Sequence, residues 1–129
     1  VQVAVLKKLR TADVYVPVIP KSAPRPRFSG RAYNDSKYTA WKQNFRAFVG
    51  EWWVWPPLDH VNVMVVHFYG PQQGDLDNKL KSCLDSLTGL VITDDNVKVV
   101  PYIAMKWFKA SKADAHIYLK VCWYDNEVS

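Results

Sequence analysis

Leu58-Asp-His-Val-Asn-Val-Met-Val-Val-His-Phe-Tyr69, then Gly70-Pro-Gln-Gln-Gly74, then Asp75-Leu-Asp-Asn-Lys-Leu-Lys-Ser-Cys-Leu-Asp-Ser-Leu-Thr-Gly89 is the stretch that decides the fold. The first part is too rich in β-branched residues for a helix. Val61, Val63 and Val65 share one face and His60, Asn62, Met64, Val66 and Phe68 the other, which reads as a central strand. The glycines mark a turn. After it Leu80, Cys83, Leu84 and Leu87 fit a helical stripe that stops at Gly89.

Upstream, Asn34, Asp35 or Ser36 can cap a helix running to about Trp53. At 100° per residue, Tyr38, Trp41, Phe45, Phe48, Val49 and Trp52 gather on one face, with Gln43, Ala47 and Glu51 opposite. Trp55-Pro56-Pro57 ends it, since proline cannot continue the ladder. Before it, Asp13 to Pro20 alternates as a strand, and Pro17 favours an edge position. The segment between, Lys21 to Tyr33, is rich in proline and arginine and reads as a basic loop.

Downstream, Leu90 to Thr93 reads as a short strand before the turn Asp94-Asp95-Asn96. Two longer strands, about Val97–Phe108 and Ala113–Tyr124, flank the polar link Ala110-Ser-Lys-Ala113, a spacing that suits an antiparallel hairpin. The expectation is one α+β domain over residues 1–129, a mixed or antiparallel sheet with two main helices packed on it. Its main elements follow the order β-α-β-α-β-β.

The chain of 129 residues is long enough for one core, and 49% hydrophobic with 22% charged residues is a globular composition. No long uncharged apolar run and no apolar leader are present, so a cytoplasmic protein without a membrane partner is expected. Cys83 and Cys122 form no CxxC pair and read as buried thiols. The net charge is +5. Residues 1–31 hold Lys7, Lys8, Arg10, Lys21, Arg25, Arg27 and Arg31 against Asp13 alone, so all the excess sits there. Such a segment suits nucleic acid first and an anionic membrane second, or is a solvated leader.

Asp75 and Asp77 lie two apart, and if their segment is extended both carboxylates point to one side. Such hard oxygens suit Mg²⁺ or Mn²⁺, and Asp94 and Asp95 could return to the same ion. Alternatively Asp77 or Asn78 caps the helix and Asp94-Asp95-Asn96 only builds a turn. Asp77, Lys81 and Asp85 fall on one flank of the apolar stripe and Lys79 on the other. Lys81 could thus neutralise charge on a phosphate, or form an ordinary surface pair with Asp85. His60, His67 and His116 have no ligand spacing. Trp52, Trp53 and Trp55 suit base stacking, a core or a subunit contact.

Gly74-Asp-Leu-Asp-Asn-Lys-Leu-Lys81, Leu84-Asp-Ser-Leu-Thr-Gly-Leu90 and Thr93-Asp-Asp-Asn96, in this order, resemble the signature of the RusA-type Holliday junction resolvases of bacteria and phages. Pro20-Lys-Ser-Ala-Pro-Arg-Pro-Arg27 with Gly30-Arg-Ala-Tyr33 resembles the basic loop of phage-like members, and Lys106 falls where the family often has a lysine. The resemblance covers about residues 13–124, leaving residues 1–12 as a basic extension. It implies a homodimeric endonuclease of DNA recombination and repair, cytoplasmic or nucleoid-associated. Such an enzyme nicks four-way junctions symmetrically with Mg²⁺ or Mn²⁺, needs no small-molecule cofactor, and leaves 5′-phosphate and 3′-hydroxyl ends. Asp75, Asp77 and Asp95 match the family's catalytic and metal-binding aspartates, Lys81 its catalytic lysine, and Asp94 and Asp85 accessory acidic positions. Lys21, Arg25, Arg27, Arg31, Lys79 and Lys106 are the expected DNA contacts, and Lys79 departs from the uncharged residue the family more often has. Two other readings stand beside this one, a basic DNA-binding module without chemistry and a nuclease of the same fold acting on other branched DNA.

Overall fold

A computed structural model describes residues 5–24, 36–71 and 74–128. Six elements follow one another: β1 (Val5–Val16), α1 (Ser36–Trp52), β2 (Val63–Gly70), α2 (Leu76–Leu87), β3 (Ile103–Lys109) and β4 (His116–Val128). The four strands form one mixed sheet in the order β1-β4-β2-β3. The α+β class and the element order are those expected. The arginines Arg25, Arg27 and Arg31 lie outside the described residues.

The expected β3–β4 hairpin does not form. β3 runs parallel to β2, Met64 opposite Ile103, while β4 is antiparallel to both β1 and β2. Two strands joined through a helix are free to run parallel, and α2 supplies that crossover. β4 takes the interior position because Ile117, Leu119, Val121 and Trp123 are all within 1% of complete burial and need cover on both sides. β3 presents exposed Met105 and Lys106 and suits an edge.

Strand limits differ too. β1 starts at Val5 rather than Asp13, so residues 5–12 belong to the sheet and pair with β4 from Val121 to Val128. It ends before Pro17, which has no N–H to give, and it lies at an edge as that proline anticipated. Residues 90–93 make only two isolated bridges, both through Ile92, which leaves them a turn: Gly89 at φ +83° donates its N–H to the Ile92 carbonyl at 2.7 Å. Residues 97–99 also turn, because Asn96 Oδ1 accepts the N–H groups of Lys98 and Val99 at 3.0 and 3.2 Å.

Both helices cover one face of the sheet. Met64, Val66 and Phe68 of β2 and the apolar row of β4 meet Phe45 and Val49 of α1 and Cys83, Leu84 and Leu87 of α2. Phe48, expected in the α1 stripe, is 36% exposed. Trp53 is buried, its ring 5.2 Å from Trp123 and 4.9 Å from Trp55, so the tryptophans after α1 pack in the core rather than stand ready for bases. Arg46 of α1 donates to the Ser86 and Thr88 carbonyls at 2.7 and 2.9 Å and so closes the C-terminal end of α2. No helix among the described residues is long and apolar enough to cross a membrane.

Candidate active site

The acidic residues mark two places, the head of α2 and the turn that follows it. Gly74, at φ +86°, reverses the chain into Asp75, the N-cap residue, whose backbone is extended and whose side chain makes no capping bond. Asp77 lies one step inside the helix, its Oδ1 accepting the Asn78 N–H at 2.9 Å. The segment is therefore not extended across both aspartates, and they do not share a side in the way a strand would impose. Both carboxylates are still at the positive end of the helix dipole, which favours anions there.

In the second place the turn uses its residues unequally. Asp94 Oδ1 accepts the Asp95 N–H at 2.7 Å, and Asn96 Nδ2 donates to Asp94 Oδ2 at 3.0 Å. Asp94 is thus a turn-building residue. The exposed Asp95 carboxylate takes no part in those bonds. Among the described residues no group of three or more His, Cys, Asp or Glu stands close enough to hold a metal ion. Among the described residues the aspartates are not gathered into a preassembled three-carboxylate cage. Mg²⁺ commonly takes one or two protein carboxylates with water and phosphate making up the rest, and the oxygen donors at the head of α2 meet that smaller requirement in kind.

Lys81 is exposed on α2 with Nζ 3.3 Å from Asp85 Oδ1, the surface pair its spacing allowed. Asp85 has a second partner in Tyr38 of α1, whose hydroxyl donates to Oδ2 at 2.8 Å. Burial, reinforced by that carboxylate, pushes the Tyr38 hydroxyl far above the usual tyrosine range, so it stays a donor. Sequence reasoning missed Tyr38 in this role because a helical stripe marks a ring as apolar and hides its polar tip.

Residues 17–24 run as a strap over both helices. Trp41 Nε1 donates to the Ile19 carbonyl at 2.8 Å, the Ala23 N–H to the Asn78 carbonyl at 3.0 Å, and Ser82 Oγ lies 2.6 Å from the Lys21 carbonyl. Ser82 and Ser86 are fully buried four residues apart on α2. Two small polar residues at that spacing on an apolar face were the available sign that backbone packs there. The strap and Tyr38 bracket the arginine-rich segment, so both of its flanks are tied to α2.

The expected DNA contacts separate. Lys21 is half-buried in the strap. Lys106 is exposed on β3 with Nζ 4.8 Å above the Phe108 ring. It alternates with Trp107, which packs on the core, so it belongs to the sheet face away from the helices and is not brought to α2. Lys79, also an expected DNA contact, is only 3% exposed and turns into the protein rather than toward solvent. The strap runs along that side of α2, with Ser22 Oγ and Lys79 Nζ both close to Gly74.

The endodeoxyribonuclease RusA family model matches residues 17–121. No curated protein matches the chain.

Proposed function

The chain belongs to the RusA endodeoxyribonuclease family, and we propose that it resolves four-way DNA junctions by paired, symmetric nicks that depend on Mg²⁺ or Mn²⁺. The observation that carries this reading is the head of α2. There Asp75 and Asp77 stand at a helix N-terminus without the Asp75 side chain serving as a cap, and both flanks of a basic segment are fastened to the same helix. Asp75 and Asp77 are the proposed metal-holding residues, and Asp95, not gathered with them in the structure, is proposed as a third ligand that would join once the ion is bound. A bound divalent ion supplies hydroxide near neutral pH and offsets charge on the phosphate.

In the proposed hydrolysis the water oxygen bonds to phosphorus while the P–O3′ bond breaks and O3′ takes a proton. The products are a 5′-phosphate and a 3′-hydroxyl, which a ligase reseals. Lys81 approaches the phosphate from the exposed flank of α2 and stabilises its added negative charge, leaving Asp85 to hold the ammonium between turnovers. Lys21 and the arginines Arg25, Arg27 and Arg31 hold the DNA backbone. Such contacts position a junction without reading its sequence and weaken steeply with salt. Paired nicks on a two-fold junction call for a two-fold enzyme, so the active form is a homodimer. Because Trp53 is buried and Trp52 and Trp55 pack against the core, the sheet edges are the proposed dimer surface.

The test is cleavage and binding of a synthetic four-way junction by Asp77→Asn and Asp95→Asn. Loss of nicking with binding retained is expected. Normal nicking by either variant would refute the assignment, and equal rates on fork, flap and linear duplex would refute junction preference.

A further inference from the structure

Lys79 closes the first turn of α2, almost completely enclosed. Helical side chains lean toward the N-terminus, so this one runs back under the turn before the helix. Its nitrogen lies close beneath Gly74: a methyl at that glycine would stand 2.9 Å from Lys79 Nζ and 3.6 Å from Ser22 Oγ. The turn demands glycine through its φ of +86°, and the ammonium packs directly against the space a side chain there would take.

A cation here is unfavourable on two grounds. Burial removes its hydration and pulls its pKa down, and the helix N-terminus repels positive charge. Asp75 acts in the opposite direction, its negative charge helping the ammonium keep its proton. A methionine would fill the same slot with neither penalty. A lysine enclosed beneath the turn, its own N–H bonded to the Asp75 carbonyl at 3.2 Å, suits a part in arranging the turn from which Asp75 enters the helix.

We propose that Lys79 is a positioning residue, whose buried side chain under Gly74 fixes the turn that delivers Asp75 to the head of α2. This rests on the reading of Asp75 as a catalytic group. The division of labour between the two lysines follows: exposed Lys81 meets the DNA and buried Lys79 holds the site in shape.

Lys79→Met and Gly74→Ala in the full chain test this with kcat, KM, junction affinity and Tm measured together. For Lys79→Met, Tm is expected to be unchanged or higher and junction Kd to stay within about twofold. Its kcat should fall about 10- to 100-fold, the scale of a misplaced catalytic group. Gly74→Ala should lower kcat similarly by displacing the nitrogen, and the double variant should be no worse than the worse single. If kcat of folded Lys79→Met stays within about twofold of the parent, the proposal fails. Loss of junction affinity with kcat intact would make Lys79 a DNA contact and overturn it equally. Should Lys79→Met not fold, Lys79→Gln carries the same kcat criterion. Asp75→Asn, run in parallel, separates the two levels: if it still cleaves, the reading of the site falls. If it is dead while Lys79→Met is active, only the positioning role falls.

Discussion

Arg46→Met removes a guanidinium while keeping most of the aliphatic stem. In the structure one nitrogen, Nη1, donates to the carbonyls of Ser86 and Thr88 at 2.7 and 2.9 Å, both partly buried. These are carbonyls at the negative end of α2, where a cation also gains from the dipole. A hydrogen bond to a charged group contributes about 1.5–3 kcal/mol, and two that share one nitrogen in a half-buried setting total about 3 kcal/mol. Unfolding entropy near 2.1 cal/mol/K per residue over 129 residues converts that to a fall in Tm of about 11 °C. Thermal unfolding followed by circular dichroism measures it, with Arg46→Lys as a control that retains the charge and should lose roughly half as much. A Tm within about 2 °C of the parent would refute the view that α1 clamps the tail of α2 through this side chain.

Lys81→Met separates chemistry from stability. Its pair with Asp85 is solvent-exposed, so urea unfolding should change by less than about 1 kcal/mol, whereas junction cleavage should be lost. Retained cleavage would return Lys81 to a simple surface partner. At alkaline pH the folded chain should weaken, because burial raises the Cys83 thiol from 9.0 to about 12, opposed only in part by a bond from Ser82, and burial with Asp13 nearby raises Tyr118 from 10.0 to about 12. The native state keeps these protons longer than the unfolded chain, so their stabilisation is complete below about pH 9 and declines from there to about 12. Urea midpoints that stay level from pH 8 to about 11 would contradict this. Mass spectrometry after native alkylation should find Cys122 modified and Cys83 untouched, since Cys83 is fully buried.

Local sequence was sufficient wherever structure follows from neighbours a few residues apart. The 3.6-residue spacing of Tyr38, Phe45 and Val49 defined α1, the alternation of Ile117, Leu119, Val121 and Trp123 defined β4, and prolines and glycines marked the breaks. The order Asp75, Asp77, Lys81, Asp95 was legible for the same reason, as spacing and residue type. Strand neighbours were not: nothing within residues 103–128 states that β4 enters between β1 and β2 while β3 pairs with β2, because pairing is settled by which faces need cover across the whole sheet. Nor could spacing tell that β1 begins at Val5, since Lys7, Lys8 and Arg10 look like a solvated tail until β4 supplies their backbone partners.

The two lysines of α2 show the same boundary most clearly. By itself the sequence determined that both lie on one helix beside paired aspartates and that they occupy different flanks. Only the tertiary structure decided which is exposed, because burial of Lys79 depends on residues 17–24, more than fifty positions away, folding as a strap against α2. Charge and periodicity are properties of a segment. Desolvation is a property of what else arrives to cover it.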